Sequence, residues 1–236
     1  MMDFSILKTL TIPEGDVKRI DIDGVKKWEV NVLDLYQRVE YIKTEGGTSG
    51  GWFLTDFIAN NQSGMELTFS CPKFADQVHM GSRASATNSR FYIWYPMAAT
   101  RGYHGWNTAV AQSVSTTSGT KYTSRLNWLN ERKSVLLDAD ETVRSTKAIS
   151  GTLVQQVVPV SICRYNNVTN TPGGGRPMSL YGARFSQGSE IVREYLPCYR
   201  KSDGEIGLLE MLTGQFVPSQ VSDGFTKGPD VEWDAA

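Results

Sequence analysis

Turn signals recur about every ten residues along this chain, and the stretches between them are short and rich in β-branched and aromatic residues. A chain punctuated that often has no room for long helices. Its core has to be built from short strands laid side by side. Arg38-Val39-Glu40-Tyr41-Ile42, Trp52-Phe53-Leu54, Met65-Glu66-Leu67-Thr68-Phe69 and Phe91-Tyr92-Ile93-Trp94-Tyr95 all read as strands. So does Ser179-Leu180-Tyr181-Gly182-Ala183-Arg184-Phe185, and the β-branched run from Val154 to Ile162 reads as a fully buried strand. The Ser, Thr and Gly-rich segment from Tyr103 to Thr123 reads as strands and long loops. Arg125 to Glu141 alternates about a turn at Asn130-Glu131-Arg132. With 236 residues, 40% of them hydrophobic, the chain can bury a sizeable core. The expected fold class is all-β, a sandwich or barrel.

Charge removes one class of partner. There are 24 basic against 25 acidic residues, for a net charge of -1, and basic residues never run beyond a pair such as Lys26-Lys27. A nucleic-acid binder draws much of its affinity from a basic field, which is missing here. The apolar pieces between Met1 and Glu14 are short and interrupted by Lys8 and Thr9, so neither a signal peptide nor a membrane span is expected. On this reading the protein is made in a cytoplasm and leaves it by a route such as lysis. Cys71, Cys163 and Cys198 are far apart and form no CxxC pair, which points to reduced, buried thiols.

The first thirty or so residues read as a separate unit. Leu7 to Ile12 alternates, Pro13-Glu14-Gly15 turns, and Val17 to Ile22 forms a second strand. Asp23-Gly24 is a hairpin turn, and Val25-Lys26-Lys27-Trp28 is the return strand. A hairpin this small must pack on the main domain or on another protein.

Tyr36 to Ile42, followed by a Gly/Thr/Ser loop and Phe57-Ile58-Ala59-Asn60-Asn61, resembles the opening of concanavalin A-like (LamG-type) jelly-roll domains of phage, prophage and bacterial surface proteins. Val192 to Leu208, with Gly214-Gln215-Phe216 and Gly224 to Pro229, is similar to that family's ending. Met178 to Phe185 resembles the strand before it. The chain departs from the pattern in the first loop, where Gly51-Trp52-Phe53 replaces a Tyr-Ile-Asp triplet. It departs again after Gly207, where Leu208-Leu209-Glu210 replaces an aromatic-Asp pair. The resemblance implies a jelly-roll β-sandwich over residues 36–231, preceded by an N-terminal hairpin unit (1–31) for attachment or oligomerisation and followed by a tail (232–236). The hairpin resembles short motifs ahead of such domains in phage structural proteins.

No catalytic constellation stands out. A glycosidase needs two carboxylates flanking the scissile bond. The nearest cluster, Asp138-Ala139-Asp140-Glu141, lacks the leading glutamate of the laminarinase-like pattern and reads as a turn. These three acids also supply the oxygen ligands that calcium takes, and are the candidate metal residues. A Ser-His-Asp triad needs a histidine base. Only His79 and His104 exist, and His79 reads as a structural residue. The segment Arg101, Tyr103, His104, Trp106 and Asn107 has the composition of a sugar-binding loop. Its competing reading is that the rings seal one end of the sandwich.

The expectation is therefore a non-enzymatic virion protein of a phage or prophage, in the tail, fibre or capsid decoration. It presents a lectin-like jelly roll to host-surface glycans and attaches to other virion proteins through its hairpin. By analogy it works as a homo-oligomer, such as a trimer, without nucleic acid or membrane insertion. Rival readings are a carbohydrate-binding module of a bacterial surface system and a glycoside hydrolase.

Overall fold

The computed structural model describes residues 19–22, 25–29, 32–46, 50–72, 77–83, 90–95, 101–106, 108–113, 116–153, 155–167, 169, 172–173, 175 and 177–233. Strands β1 (Arg19–Ile22) and β2 (Val25–Glu29) pair antiparallel in a sheet of their own. The expected strand Leu7 to Ile12 and the Asp23-Gly24 turn lie outside the described residues.

From there the chain alternates between two sheets. A single helical turn, α1 (Val32–Leu35), leads into β3 (Tyr36–Arg38) and β4 (Ile42–Thr44) of the first sheet. β5 (Phe53–Leu54) lies in the second sheet, and β6 (Ser63–Ser70) returns to the first. β7 (Gln77–Arg83), β8 (Arg90–Tyr95), β9 (Arg101–Trp106) and β10 (Thr108–Ser113) then meander across the second sheet. β11 (Lys121–Leu126), β12 (Lys133–Leu137) and β13 (Val143–Ala148) go back to the first. β14 (Ser161–Ile162), β15 (Tyr165–Asn166) and β16 (Pro172–Gly173) extend the second. β17 (Met178–Gln187), β18 (Glu190–Arg200), β19 (Ile206–Glu210) and β20 (Gln215–Pro218) complete the first, where β21 (Thr226–Lys227) pairs with β4. The first sheet runs β13-β12-β11-β6-β17-β18-β19-β20 and the second β10-β9-β8-β7-β14-β5. This is the all-β jelly-roll sandwich expected from the sequence.

Alternation explains which residues fill the core between the sheets. On β6, Met65, Leu67 and Phe69 point inward and are fully buried. On β11 the inward set is Tyr122, Ser124 and Leu126. On β17 the inward residues are Leu180, Ala183 and Phe185, which breaks the two-residue period. A β-bulge between Leu180 and Gly182 corrects the phase. Without the extra residue, Ala183 and Phe185 would face outward. Phe185 stacks on Phe57 at 4.6 Å and meets the edge of Tyr195 at 6.0 Å, while Phe53 stacks on Phe225 at 4.6 Å.

Two sequence expectations change here. Arg38 to Ile42 is two short strands joined by an isolated bridge at Val39, not one strand. Among the described residues of the run from Val154 to Ile162 only Ser161–Ile162 is strand, and Val157 is exposed. Pro159 cannot donate to a ladder. The segment instead crosses a loop through irregular bonds, Gln156 N to Ala59 O (2.8 Å) and Val160 N to Phe57 O (2.8 Å).

His79 is the structural histidine the sequence suggested, and it is wholly buried. It occupies a bulge between Val78 and Met80, with Nε2 3.0 Å from Cys71 Sγ and its ring 4.7 Å from Phe69. Cys71, Cys163 and Cys198 are all free and buried. Burial lowers the His79 pKa to about 3. The unfolded chain therefore takes up a proton near pH 6.5 that the folded protein refuses. This contribution to stability is complete above pH 6.5 and is lost as pH falls from 6.5 towards 3. The loss is on the order of 5 kcal/mol over that window. His79→Met should flatten the dependence in urea titrations at stepped pH. An unchanged slope between pH 6.5 and 4 would refute the assignment.

A second, smaller cluster covers part of the outer face of the first sheet. Tyr36, Cys198 and Leu209 pack there with Val32 and Leu33 of α1, Met211, Phe216 and Trp233. Trp233, assigned to a tail by the sequence, donates from Nε1 to Tyr36 O at 3.3 Å. The strands beside this cluster, β11, β6 and β17, carry the polar face described next.

Candidate functional site

The outward residues of β11, β6 and β17 form rows across the sheet. Arg125 stands opposite Glu66, and Glu66 opposite Arg184. Glu66 is only 3% exposed, and a buried carboxylate is tolerated only when fully paired. Arg125 Nε donates to its Oε2 at 2.5 Å. Arg184 donates to Oε1 from Nε at 2.7 Å and from Nη2. The Arg184 guanidinium also lies over the Trp128 ring, 5.3 Å from its centroid.

Two residues along the strands, Thr68 and Thr123 share a hydroxyl hydrogen bond of 3.0 Å, with Gly182 opposite Thr68. Two residues further on, Lys121 pairs with Ser70. The bulge that corrects the phase of β17 also places Tyr181 and Gly182 together on this outer face. The half-buried Tyr181 ring lies 4.6 Å beneath Lys121 Nζ, its hydroxyl is 3.5 Å from Ser70 Oγ, and Tyr41 packs on it at 5.4 Å. The result is a polar strip across the outer face of the sheet, here called the trough. It has a guanidinium end, a hydroxyl floor and an aromatic end, spanning roughly 13 Å from the first row to the last.

A strained loop closes the guanidinium end. Asn127, Leu129, Asn130 and Arg132 all have left-handed φ values, 48°, 50°, 63° and 55°. For a leucine that conformation costs free energy and persists only where the surroundings impose it. Asn127 Nδ2 donates to Ser63 O at 3.0 Å, and Leu129 N donates to Ser186 Oγ at 3.1 Å. Asn127 Oδ1 accepts from Arg132 N at 3.0 Å. These bonds to β6 and β17 fix Trp128 against Arg184 and leave Leu129 and Asn130 exposed.

The residues singled out from the sequence fare differently. Arg101, Tyr103, His104 and Trp106 belong to β9, paired with β10, rather than to a loop. Trp106 is wholly buried, edge-on to Phe91 at 6.1 Å, and donates from Nε1 to Gly151 O at 3.3 Å. Arg132 caps its ring at 5.0 Å. Trp106 therefore offers no open face to a sugar and seals the core instead. The side chains of Arg101, Tyr103 and His104, and all of Asn107, lie outside the described residues. Asp138 and Asp140 form a turn in which both Oδ1 atoms accept from Thr142 N at 3.1 Å. Their mutual hydrogen bond raises the pKa of Asp138 and lowers that of Asp140 to about 2. Among the described residues no three His, Cys, Asp or Glu side chains gather as a metal site, those of Asp138, Asp140 and Glu141 included.

Two adjoining clefts of about 460 and 390 Å³ share the wall Val221–Phe225. Asp203, Glu205 and Asp223 line the larger, and Lys43 and Glu45 flank the smaller. Arg200 engages both Asp203 and Glu205, and the Phe225 ring is buried against Phe53, so neither cleft offers an open aromatic face.

Sequence reading missed the trough. Each of its strands shows polar residues at alternate positions, but only the register joins Glu66 to Arg184, 118 residues away.

The fold and this face define a two-sheet β-sandwich with an open polar trough on one sheet. No family model matches the chain, and no curated protein matches it. Among solved structures the chain is similar to the native heptameric SAP-like pentraxin from Limulus polyphemus. The likeness is 8% identity and a TM-score of 0.45, over 68% of this chain and 79% of that one.

Proposed function

We propose that this chain is a non-enzymatic glycan-binding module that lays an oligosaccharide along the trough of the first sheet. The observation that carries the reading is the convergence of Tyr181, the Thr68–Thr123 hydroxyl pair and the Arg125–Glu66–Arg184 row on one open face. A pyranose ring presents an apolar face suited to a half-buried tyrosine. Its hydroxyls accept from guanidinium groups and exchange hydrogen bonds with threonine and serine hydroxyls. The span of roughly 13 Å suits two to three sugar units.

The biological setting we propose is the particle of a phage or prophage, with the sandwich displayed towards host-surface glycans and the β1–β2 hairpin joining it to other virion proteins as a homo-oligomer. Support for this setting comes from the resemblance of Tyr36–Ile42, Met178–Phe185 and Val192–Leu208 to phage-borne jelly rolls.

A glycan array with the purified protein, alongside its mass by light scattering, tests the reading. Wild type is expected to retain defined oligosaccharides without releasing reducing sugar. Tyr181→Ala should lose about tenfold in affinity with its folding intact. Absence of any bound glycan, or Tyr181→Ala binding like wild type, would remove the trough as a sugar site.

A further inference from the structure

We infer that the trough selects acidic sugars, carboxylated or sulfated, through the two guanidinium groups held side by side on Glu66. This deepens the glycan-binding reading and rests on it. Arg125 and Arg184 approach one carboxylate from the two flanking strands, so two cations share one buried anion. Against the one carboxylate they both bind, the two guanidinium groups carry one charge more, at a half-buried surface with side chains 29% and 35% exposed, and over the whole row Glu194 balances it. Lys121 adds a third cation at the far end. Glu194, opposite Arg184 in register, is the other acid of the row and makes no ion pair with it.

The hydrogen-bond inventory points the same way. Arg125 uses only Nε on Glu66, and Arg184 uses Nε and Nη2. Among the described residues both Nη groups of Arg125 and Nη1 of Arg184 remain unengaged by protein. A guanidinium fork with open N–H groups matches the oxygens of a carboxylate or sulfate, and charge-assisted bonds of this type are about twice as strong as neutral ones. Glu66 keeps the arginines in place before any ligand arrives, so little side-chain ordering remains to be done on binding. The hydroxyl floor and Tyr181 then receive the neutral part of the sugar.

The test titrates the full chain with three probes: a galacturonic acid hexamer, its carboxyl-reduced neutral counterpart, and a sulfated galactose hexamer. At least one acidic probe is expected to bind ten times or more as tightly as the neutral one, with the difference shrinking as salt rises. Whichever acidic probe binds tells carboxylate from sulfate. Arg125→Gln, which leaves Arg184 to pair Glu66, should weaken the acidic probe tenfold or more and the neutral probe far less, so that the ratio between them falls towards one. Arg125→Lys, which keeps the charge but not the fork, should retain part of it. Should Arg125→Gln not fold, the wild-type comparison of acidic and neutral probes still decides. Equal affinity for all three probes would overturn the acid preference and leave glycan binding standing. An acid preference that survives Arg125→Gln would overturn its assignment to this row. No binding of any probe, or of any array glycan, would overturn both.

Discussion

Glu66→Gln should cost about 3 kcal/mol of stability, among the largest effects expected of any substitution outside the apolar core. Glutamine matches the shape of glutamate, so packing is preserved and the change is one of charge. It leaves two guanidinium groups facing a neutral amide, between strands that hold them side by side. Removing one partner of a buried ion pair typically costs about 3–5 kcal/mol. The low end applies because Arg125 and Arg184 are each about a third exposed and recover some hydration. Urea unfolding should show a lower midpoint at unchanged slope, and added salt should restore part of the loss by screening the arginines. A loss below about 1 kcal/mol, or one indifferent to salt, would mean that Glu66 does not organise the row.

Trp106→Ala should be at least as damaging, at about 3–5 kcal/mol. The indole is fully buried, meets Phe91 edge-on, and gives its N–H to Gly151. Truncation opens a cavity beneath Arg132 and removes one of the two donors to Gly151 O, which keeps its bond from Arg132 Nη2. Trp106→Phe should recover most of the packing and keep full glycan binding, because the indole has no face open to ligand. Thermal unfolding with a parallel binding assay checks both statements. Binding lost in a stably folded Trp106→Phe would bring this residue back as a ligand contact.

The fold was legible where alternation was unbroken. Met65, Leu67 and Phe69 announce an inward face, and the stretch from Val192 to Leu208 became the paired strands β18 and β19. Even the departure at Leu208-Leu209-Glu210 is a packing variant. Both leucines are buried, and Glu210 accepts from the backbone N–H groups of Glu194, Leu212 and Thr213. Alternation failed where backbone bonding overrode composition, as around Pro159. It failed again in β9, whose Gly102 and Gly105 give a strand the look of a loop. The trough was illegible for a different reason. Its residues are ordinary outward polar positions until register brings them together, and the Tyr181 bulge, hinted at locally only by Gly182, decides that an aromatic ring joins them.

The place of β17 between β6 and β18 has a consequence for how the protein is made. Translation is vectorial, and β6 and β11 leave the ribosome more than fifty residues before their sheet can be completed. Until Gln187 emerges, one edge of β6 has no native ladder partner, and Met65, Leu67 and Phe69 lack the Phe185 side of their enclosure. Closing a pairing between residues 118 apart is slow compared with local hairpin formation. The nascent chain therefore passes through a long interval with a bare, apolar strand edge, the period in which it is most exposed to self-association and most dependent on chaperones.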